Sequence, residues 1–175
     1  MKRIVTMLSI ALGLMSTTAI AQTTLKELKA GNIFYVSIPN YMSRTTGLNS
    51  SSTIQYKSAV KDVYGFVIED PKEDLVLADL QFSSINEFYE RFIADFLKNE
   101  GKRQVSKPVY QQKGGINFAE CDFTYYDKDV EGEIYYLVGI VETKVSFYKV
   151  LSWTTAANKD KYKADFQKIL YSLKD

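Results

Sequence analysis

Acidic, tyrosine and lysine side chains are the groups that could carry chemistry in this chain, because its 175 residues include one cysteine and no histidine. Without histidine, the Ser-His-Asp and Cys-His catalytic arrangements, imidazole metal sites and the HExxH zinc motif are impossible. Chemistry based on carboxylates, lysine, tyrosine or serine-lysine pairs remains. The composition therefore favours a protein that is not an enzyme, and we expect neither catalytic residues nor a bound cofactor.

One acidic cluster lies between residues 69 and 79. It consists of Glu69, Asp70, Glu73, Asp74 and Asp79. Two carboxylates at the right separation can cleave a glycosidic bond by acid-base catalysis, whereas acidic residues on a surface turn need no function. A carboxylate-based hydrolase is therefore an alternative, although nothing else in the sequence indicates one.

A second acidic group has the spacing of the first half of a calcium-binding loop. Asp127, Asp129 and Glu131 alternate along the chain and precede Gly132. The position that would need a bidentate glutamate is Val138, inside a predicted strand. The pattern therefore favours a solvated hairpin turn over a metal site, and it leaves calcium binding open.

Cys121 lies in an alternating segment, residues 117–125. Period-two alternation places it on the same face as Ala119, Phe123 and Tyr125. A thiol on an apolar face is typical of a buried structural cysteine, because a nucleophile needs an exposed, electropositive setting. One cysteine cannot form an internal disulfide, so the core alone must hold the fold.

The first 21 residues have the pattern of a secretory signal peptide. Lys2 and Arg3 precede the apolar run 4–20, which closes on Ala19-Ile20-Ala21. We expect cleavage after Ala21 and a periplasmic or secreted protein with no membrane span after cleavage. A membrane anchor is the less favoured reading, because the run is at the lower length limit for a spanning helix, and no cysteine near the cleavage point could carry a lipid.

Residues 22–175 are predicted to form a single domain. Lys2 and Arg3 are the only charged residues of the leader, so the remainder has a net charge close to zero. A nearly neutral domain lacks the basic surface that nucleic acids or anionic membranes require. We therefore expect neither of these partners.

Periodicity predicts an α+β fold. Alternation indicates strands near residues 33–38, 53–58, 63–68, 104–112, 116–126, 133–142 and 145–154. Residues 23–29 fit a short edge strand or a capping box. Helical spacing indicates a helix over residues 84–100, with Ser84 as N-cap and Gly101 as the left-handed residue that ends it. It indicates a second helix over residues 159–174, with Asn158 as N-cap and Asp165 among the lysines of its polar face.

The predicted strands 63–68 and 133–142 are apolar on both faces. A strand with two apolar faces lies in a sheet that is covered on both sides. We therefore predict an antiparallel sheet of about six to seven strands sandwiched between helices.

The order of elements resembles the PsbP-like superfamily, as a secreted bacterial-type member. The residues that carry the resemblance are FxVxIP at Phe34–Pro39, FYKVLSWT at residues 147–154 and KYKADFQKILYSLK at residues 161–174. This fold is shared with a Ran-binding nuclear import factor. The resemblance implies an α/β/α sandwich and a binding role, because photosynthetic members are non-catalytic accessory proteins and the import factor binds a GTPase. No functional residue of the family matches this sequence.

The favoured function is that of a non-catalytic binding or accessory protein whose partner is another envelope or secreted protein. The long segments 41–52 and 72–83 are the predicted contact surfaces, since long loops of a compact domain are often functional. Tyr41, Met42 and Arg44 are the candidate partner-binding residues. The alternative is a carrier that holds a small apolar ligand between helix 85–97 and the sheet.

Overall fold

Ten strands and three α-helices follow one another in residues 23–31 and 33–175, the part of the chain that the computed structural model describes. The predicted leader, residues 1–21, lies outside this part. The strands are β1 (Leu25–Ala30), β2 (Phe34–Pro39), β3 (Ser43–Arg44), β4 (Ile54–Ser58), β5 (Val63–Pro71), β6 (Gly101–Val105), β7 (Val109–Lys113), β8 (Ile116–Asp127), β9 (Gly132–Glu142) and β10 (Ser146–Thr155). The helices are α1 (Lys72–Leu77), α2 (Ile85–Asp95) and α3 (Lys159–Leu170), the last preceded by a 3₁₀ turn, Ala156–Asn158.

Eight of the described strands form one antiparallel sheet. Its order is β3-β4-β5-β10-β9-β8-β6, and β7 also pairs with β8. The predicted hairpin β9–β10 lies near the middle, where Phe147 pairs with Glu142 and Thr155 with Ile134. The sheet has more strands than expected partly because Pro108 divides the predicted edge strand into β6 and β7.

The two faces of the sheet carry separate hydrophobic clusters. On β9, Tyr135, Leu137 and Val141 point to the face covered by α3 and by the two-stranded sheet β1–β2. Tyr136, Val138 and Ile140 point to the opposite face, which α2 covers. The prediction of helices on both faces is confirmed. Of the two predictions for residues 23–29, a strand or a capping box, the structure shows the strand, as β1. The packing of β1–β2 beside α3 was not predicted.

Helix α2 ends earlier than the sequence pattern predicted. It stops at Asp95 rather than near Glu100, and the left-handed residue is Leu97, at φ 50°, not Gly101. Phe96 leaves the helix with extended backbone angles, and its ring packs edge-on against Phe123 at 4.9 Å. The helix therefore ends at the residue whose ring packs against the cluster between α2 and the sheet.

Helix α3 differs from the prediction in two side chains. Asp165, expected on the solvent face, is 7% exposed and accepts hydrogen bonds from the hydroxyl of Tyr41 at 2.8 Å and from the ammonium of Lys168 at 2.9 Å. Asn158 occupies the N-cap position, but its side chain donates to Thr155 Oγ1 and makes no capping bond.

The helices of the described residues include none that is long and apolar enough to cross a membrane.

Cys121 lies in the cluster between α2 and the sheet, where its residue is 2% exposed. Burial raises the pKa of its thiol to about 11. The expected buried structural thiol is confirmed, because a thiol of this kind is neither accessible nor ionised near neutral pH.

We expect Cys121 in the folded protein to react with Ellman's reagent at pH 8 at least about a hundredfold more slowly than in the unfolded chain, because reaction requires an accessible thiolate. Absorbance of the released thiolate, with and without guanidinium, measures both rates. Equal rates would contradict the burial.

Gly65 is a point of close approach within the sheet. It pairs with Tyr56 of β4, and a Cβ atom at this position would lie 2.3 Å from the Tyr56 ring and 2.8 Å from the carbonyl oxygen of Leu151. The tyrosine ring therefore occupies the space that a side chain at position 65 would need.

Gly65→Ala should lower the free energy of unfolding by about 1–3 kcal/mol, because the added methyl group overpacks the core. The matched control is Gly132→Ala, where the nearest atom would be 3.7 Å away, and its change should stay within about 0.5 kcal/mol. Urea denaturation measures both variants. Equal stability of the two variants would show that Tyr56 moves aside freely.

Candidate functional site

A pocket of about 340 Å³ opens between α2 and the segment that connects β5 to α2. Its volume is within the lower part of the range of small-molecule sites, about 300–1,000 Å³. We call it the α2 pocket. Its apolar lining is Leu75, Leu80, Phe82, Phe88, Phe92 and Phe96, and its charged lining is Asp70, Arg91, Asp95 and Lys149.

The N-terminus of α2 is fixed at the predicted Ser84, although only one of the two bonds of the predicted capping box forms. The hydroxyl of Ser84 accepts a hydrogen bond from the backbone N–H of Glu87 at 3.4 Å. The carboxylate of Glu87 accepts from the backbone N–H and hydroxyl of Ser83, at 2.8 and 2.9 Å. In a complete capping box Glu87 would accept from the backbone N–H of Ser84, whereas here it bonds Ser83, the residue before the cap.

Stacked rings attach α2 to the sheet. The ring of Phe88 lies parallel to that of Phe147 on β10, with 4.3 Å between centroids and 4° between planes. Phe82 packs edge-on against both rings, at 4.9 and 6.0 Å. Aromatic packing therefore fills the space directly under the helix. The cavity lies along its flank, beside the position that the carrier hypothesis predicted.

Arg103 on β6 holds the C-terminal end of α2. Its guanidinium donates to the carbonyl oxygen of Phe96 at 3.1 Å and to that of Ile93, and it lies 5.3 Å from the Phe123 ring. Carbonyl groups at a helix end have no partner within the helix, so a cation here stabilises it.

The other wall of the pocket is the connecting segment. Lys72 begins it with a 2.9 Å ion pair to Glu142, and the backbone N–H of Leu80 donates to the carbonyl of Leu75 at 2.8 Å. Leu80 is 43% exposed, and Leu77 of the same segment is 84% exposed. Leu80 therefore presents an apolar side chain to solvent at the pocket, and Leu77 does so outside its lining.

An ion pair lies on the sheet side of the pocket. The ammonium group of Lys149 is 2.8 Å from an oxygen of Asp70. The same ammonium lies 5.8 Å from the ring of Phe88 and 5.9 Å from that of Phe92. These contacts place a neutralised charge pair against the aromatic lining.

Charges on the helix side are less evenly matched. Asp95 pairs with Lys98 at 2.9 Å, and this hydrogen bond lowers the pKa of its carboxyl group, with a smaller contribution from Arg91. Arg91 is exposed and makes no ion pair or hydrogen bond with the side chains or carbonyl groups of the described residues. It is the cation of the pocket without a close partner.

The three candidate partner-binding residues lie apart from this pocket. Tyr41 donates to Asp165, and burial with this bond raises the pKa of its hydroxyl well above the ordinary value. Met42 is fully buried in the core, so its side chain cannot reach a partner in this conformation. Arg44 is exposed and donates to the carbonyl oxygen of Lys29.

The side chain of Gln55 makes several of the hydrogen bonds that hold the polar loop around residues 45–52. The amide of Gln55 accepts from the backbone N–H of Leu48 at 2.6 Å and donates to the carbonyl of Asn49 at 2.8 Å. Its surface depression, lined by Arg44, Thr45, Thr46, Ser52, Thr53, Ile54 and Gln55, is largely polar.

The first acidic cluster is divided between the two sides of the sheet. Glu69 accepts from the hydroxyl groups of Ser146 and Tyr148, which belong to the α3 side. Asp70 faces the α2 pocket. Neighbouring residues of a strand point to opposite faces, so these two carboxylates cannot act on one bond.

Asp127 of the second acidic group closes a turn. Its carboxylate accepts from the hydroxyl of Tyr125 at 2.9 Å and from the backbone N–H groups of Asp129 and Val130 at 2.8 and 3.2 Å. No cluster of three or more Cys, Asp or Glu side chains suited to a metal ion occurs in the described residues. The turn accounts for Asp127 without a metal.

Sequence reasoning did not identify Arg91 and Lys149 as site residues. The partner of Lys149, Asp70, lies 79 positions away along the chain, so periodicity could not bring these two together. One signal did point here: residues 72–83 were predicted as a contact surface because long loops are often functional, although the structure forms helix α1 in the first half of this segment.

Comparisons with known proteins place the fold. No family model and no curated protein matches the sequence. The solution structure of cyanobacterial PsbP (CyanoP) from Synechocystis sp. PCC 6803 superimposes with a TM-score of 0.62 at 15% identity, covering 92% of this chain and 98% of that chain.

Two further solved structures are similar. The Saccharomyces cerevisiae Ran-binding protein Mog1p gives a TM-score of 0.59 at 9% identity, covering 87% of this chain and 95% of that chain. LpqN, involved in cell envelope biogenesis of Mycobacterium tuberculosis, gives 0.58 at 10% identity, covering 87% and 90%. The predicted fold is confirmed: this chain has the PsbP-like fold.

Proposed function

We propose that this protein is a non-catalytic binding protein of the periplasm or the cell exterior, and that it holds an apolar ligand in the α2 pocket. The observation that carries the proposal is the pocket lining, in which six apolar side chains line an open cavity large enough for a small molecule. Because Leu80 is partly exposed, a ligand would remove apolar surface from water, which is worth about 25 cal/mol per Å².

The distribution of charges supports binding rather than catalysis. Asp70 of the pocket pairs with Lys149, and Asp95 pairs with Lys98. Catalytic carboxylates need a free position and a matched partner for proton transfer. A binding role also agrees with the solved relatives, of which Mog1p binds Ran and LpqN is involved in envelope biogenesis.

The pocket is a better candidate site than the polar loop. Of the three loop residues proposed to contact another envelope or secreted protein, Tyr41 and Met42 are used within the fold. Arg44 is the one with an exposed side chain, and a single exposed side chain is a weak basis for specific recognition. We therefore favour the carrier hypothesis, with the site at the flank of α2.

Leu80→Asn should raise the dissociation constant for the neutral apolar probe N-phenyl-1-naphthylamine about tenfold, because the variant removes apolar contact at the pocket. Probe fluorescence measures binding. Val130→Asn is the matched control, since Val130 is 62% exposed on the β8–β9 turn and should bind the probe as the unchanged protein does.

Two results would contradict the pocket proposal. One is an unchanged protein that does not enhance probe fluorescence at all. The other is equal binding by the Leu80 and Val130 variants, which would place the probe elsewhere.

Export rests on the basic start and apolar run of residues 2–20. Expressed in a bacterium, the protein should be recovered from the envelope fraction with an intact mass that begins at Gln22. Replacing Ala19 and Ala21 by lysine should leave the leader attached, because cleavage requires small residues at these positions. An unchanged chain that retains Met1 would contradict export with cleavage.

A further inference from the structure

We propose that the ligand of the α2 pocket is an anionic amphiphile, with its hydrocarbon chain against the phenylalanines and its carboxylate or phosphate head group beside Arg91. This inference rests on the proposed function, because it names the ligand class of the same pocket.

The sheet side of the pocket has no net charge that would favour a cationic or an anionic ligand. Asp70 and Lys149 lie 2.8 Å apart, so their charges compensate each other. A head group placed here would have to break an ion pair that is already formed and partly shielded from water, which costs free energy. The sheet side therefore suits the uncharged part of a ligand.

On the helix side the lining carboxylate, Asp95, already has a cation beside it. Asp95 is paired with Lys98 at 2.9 Å, and Arg91 brings a second cation to the same face. Arg91 lies one turn from both Phe88 and Asp95 along α2, so the guanidinium is at the boundary between the phenylalanine lining and solvent. A cationic head group would meet a carboxylate that already has two cations near it.

Arginine is suited to this role. A guanidinium group binds a carboxylate or a phosphate through two parallel hydrogen bonds, and within the described residues that of Arg91 has no such partner. Six apolar side chains next to one unpaired guanidinium form a surface that complements a hydrocarbon chain ending in an anion. A neutral apolar molecule would contact the apolar side chains but would form no ion pair with Arg91.

Displacement of N-phenyl-1-naphthylamine by single-chain compounds tests the head group. Dodecanoate, dodecyl phosphate, dodecanol and dodecylammonium share one chain and differ in charge. We expect either anion to displace the probe at a concentration roughly three- to tenfold below that of dodecanol, as one exposed charged hydrogen-bond pair allows, and dodecylammonium to be weakest. A stronger effect of dodecanoate indicates a fatty acid, and a stronger effect of dodecyl phosphate indicates a phosphate-headed lipid.

Three variants assign the preference to its residue. Arg91→Gln should make the anions and dodecanol equal, whereas Arg91→Lys, which keeps the charge, should retain most of the preference. Arg44→Gln removes an exposed arginine from another surface and should behave as the unchanged protein does. Added salt should weaken displacement by the anions and leave dodecanol unaffected.

The outcomes separate the inference from the proposed function. Equal displacement by dodecanoate, dodecyl phosphate and dodecanol in the unchanged protein, or an anion preference that survives Arg91→Gln, would overturn the anionic ligand and leave an apolar pocket. A protein that binds neither the probe nor dodecanol nor either anion would overturn both.

Discussion

The rest of the structure depends on the burial of both faces of the hairpin β9–β10. Alternate side chains of β9 point into two separate clusters. A layer that covered only one face of the sheet would therefore leave the apolar cluster on the other face exposed to water. On one side α3 and β1–β2 form that layer together. On the other side α2 has eleven residues, and the connecting segment, which begins with the six-residue helix α1 and continues as irregular chain, completes the cover with Leu75 and Phe82. The α2 pocket lies at this junction, which makes it a consequence of how the second face is covered.

Local sequence determines the elements whose partners are close in the chain. Ser84 and Glu87 lie three residues apart, and the helix begins where their spacing predicts. The period-two alternation placed Cys121 on the buried face because a strand leaves no other choice. The same reasoning failed at Asp165, which stands among lysines on α3 and is buried through a hydrogen bond to Tyr41, 124 positions earlier. It also failed at the end of α2, where Phe96 leaves the helix and packs its ring against Phe123.

The candidate site was less predictable than the fold for the same reason. Asp70 pairs with Phe147 across β5 and β10, so Lys149, two residues further on, lies diagonally opposite and can reach the carboxylate. This ion pair requires the register of two strands that are 79 positions apart. A sequence shows that charged residues are present, but only the register shows which charges cancel. Arg91 becomes distinctive once the other charges of the pocket are seen to have partners.

The packing around the pocket also explains why it stays open. Phe82, Phe88 and Phe147 hold one another through edge and face contacts, so none of these rings is free to turn into the cavity. Arg103 fixes the carbonyl groups at the far end of α2, which prevents the helix from closing the gap by shifting along the sheet. Leu80 lies in the other wall, where its backbone N–H donates to the carbonyl oxygen of Leu75 and its residue is 43% exposed. A ligand in this pocket would therefore meet packed rings on one side and the exposed part of Leu80 on the other, where contact with hydrocarbon removes apolar surface from water.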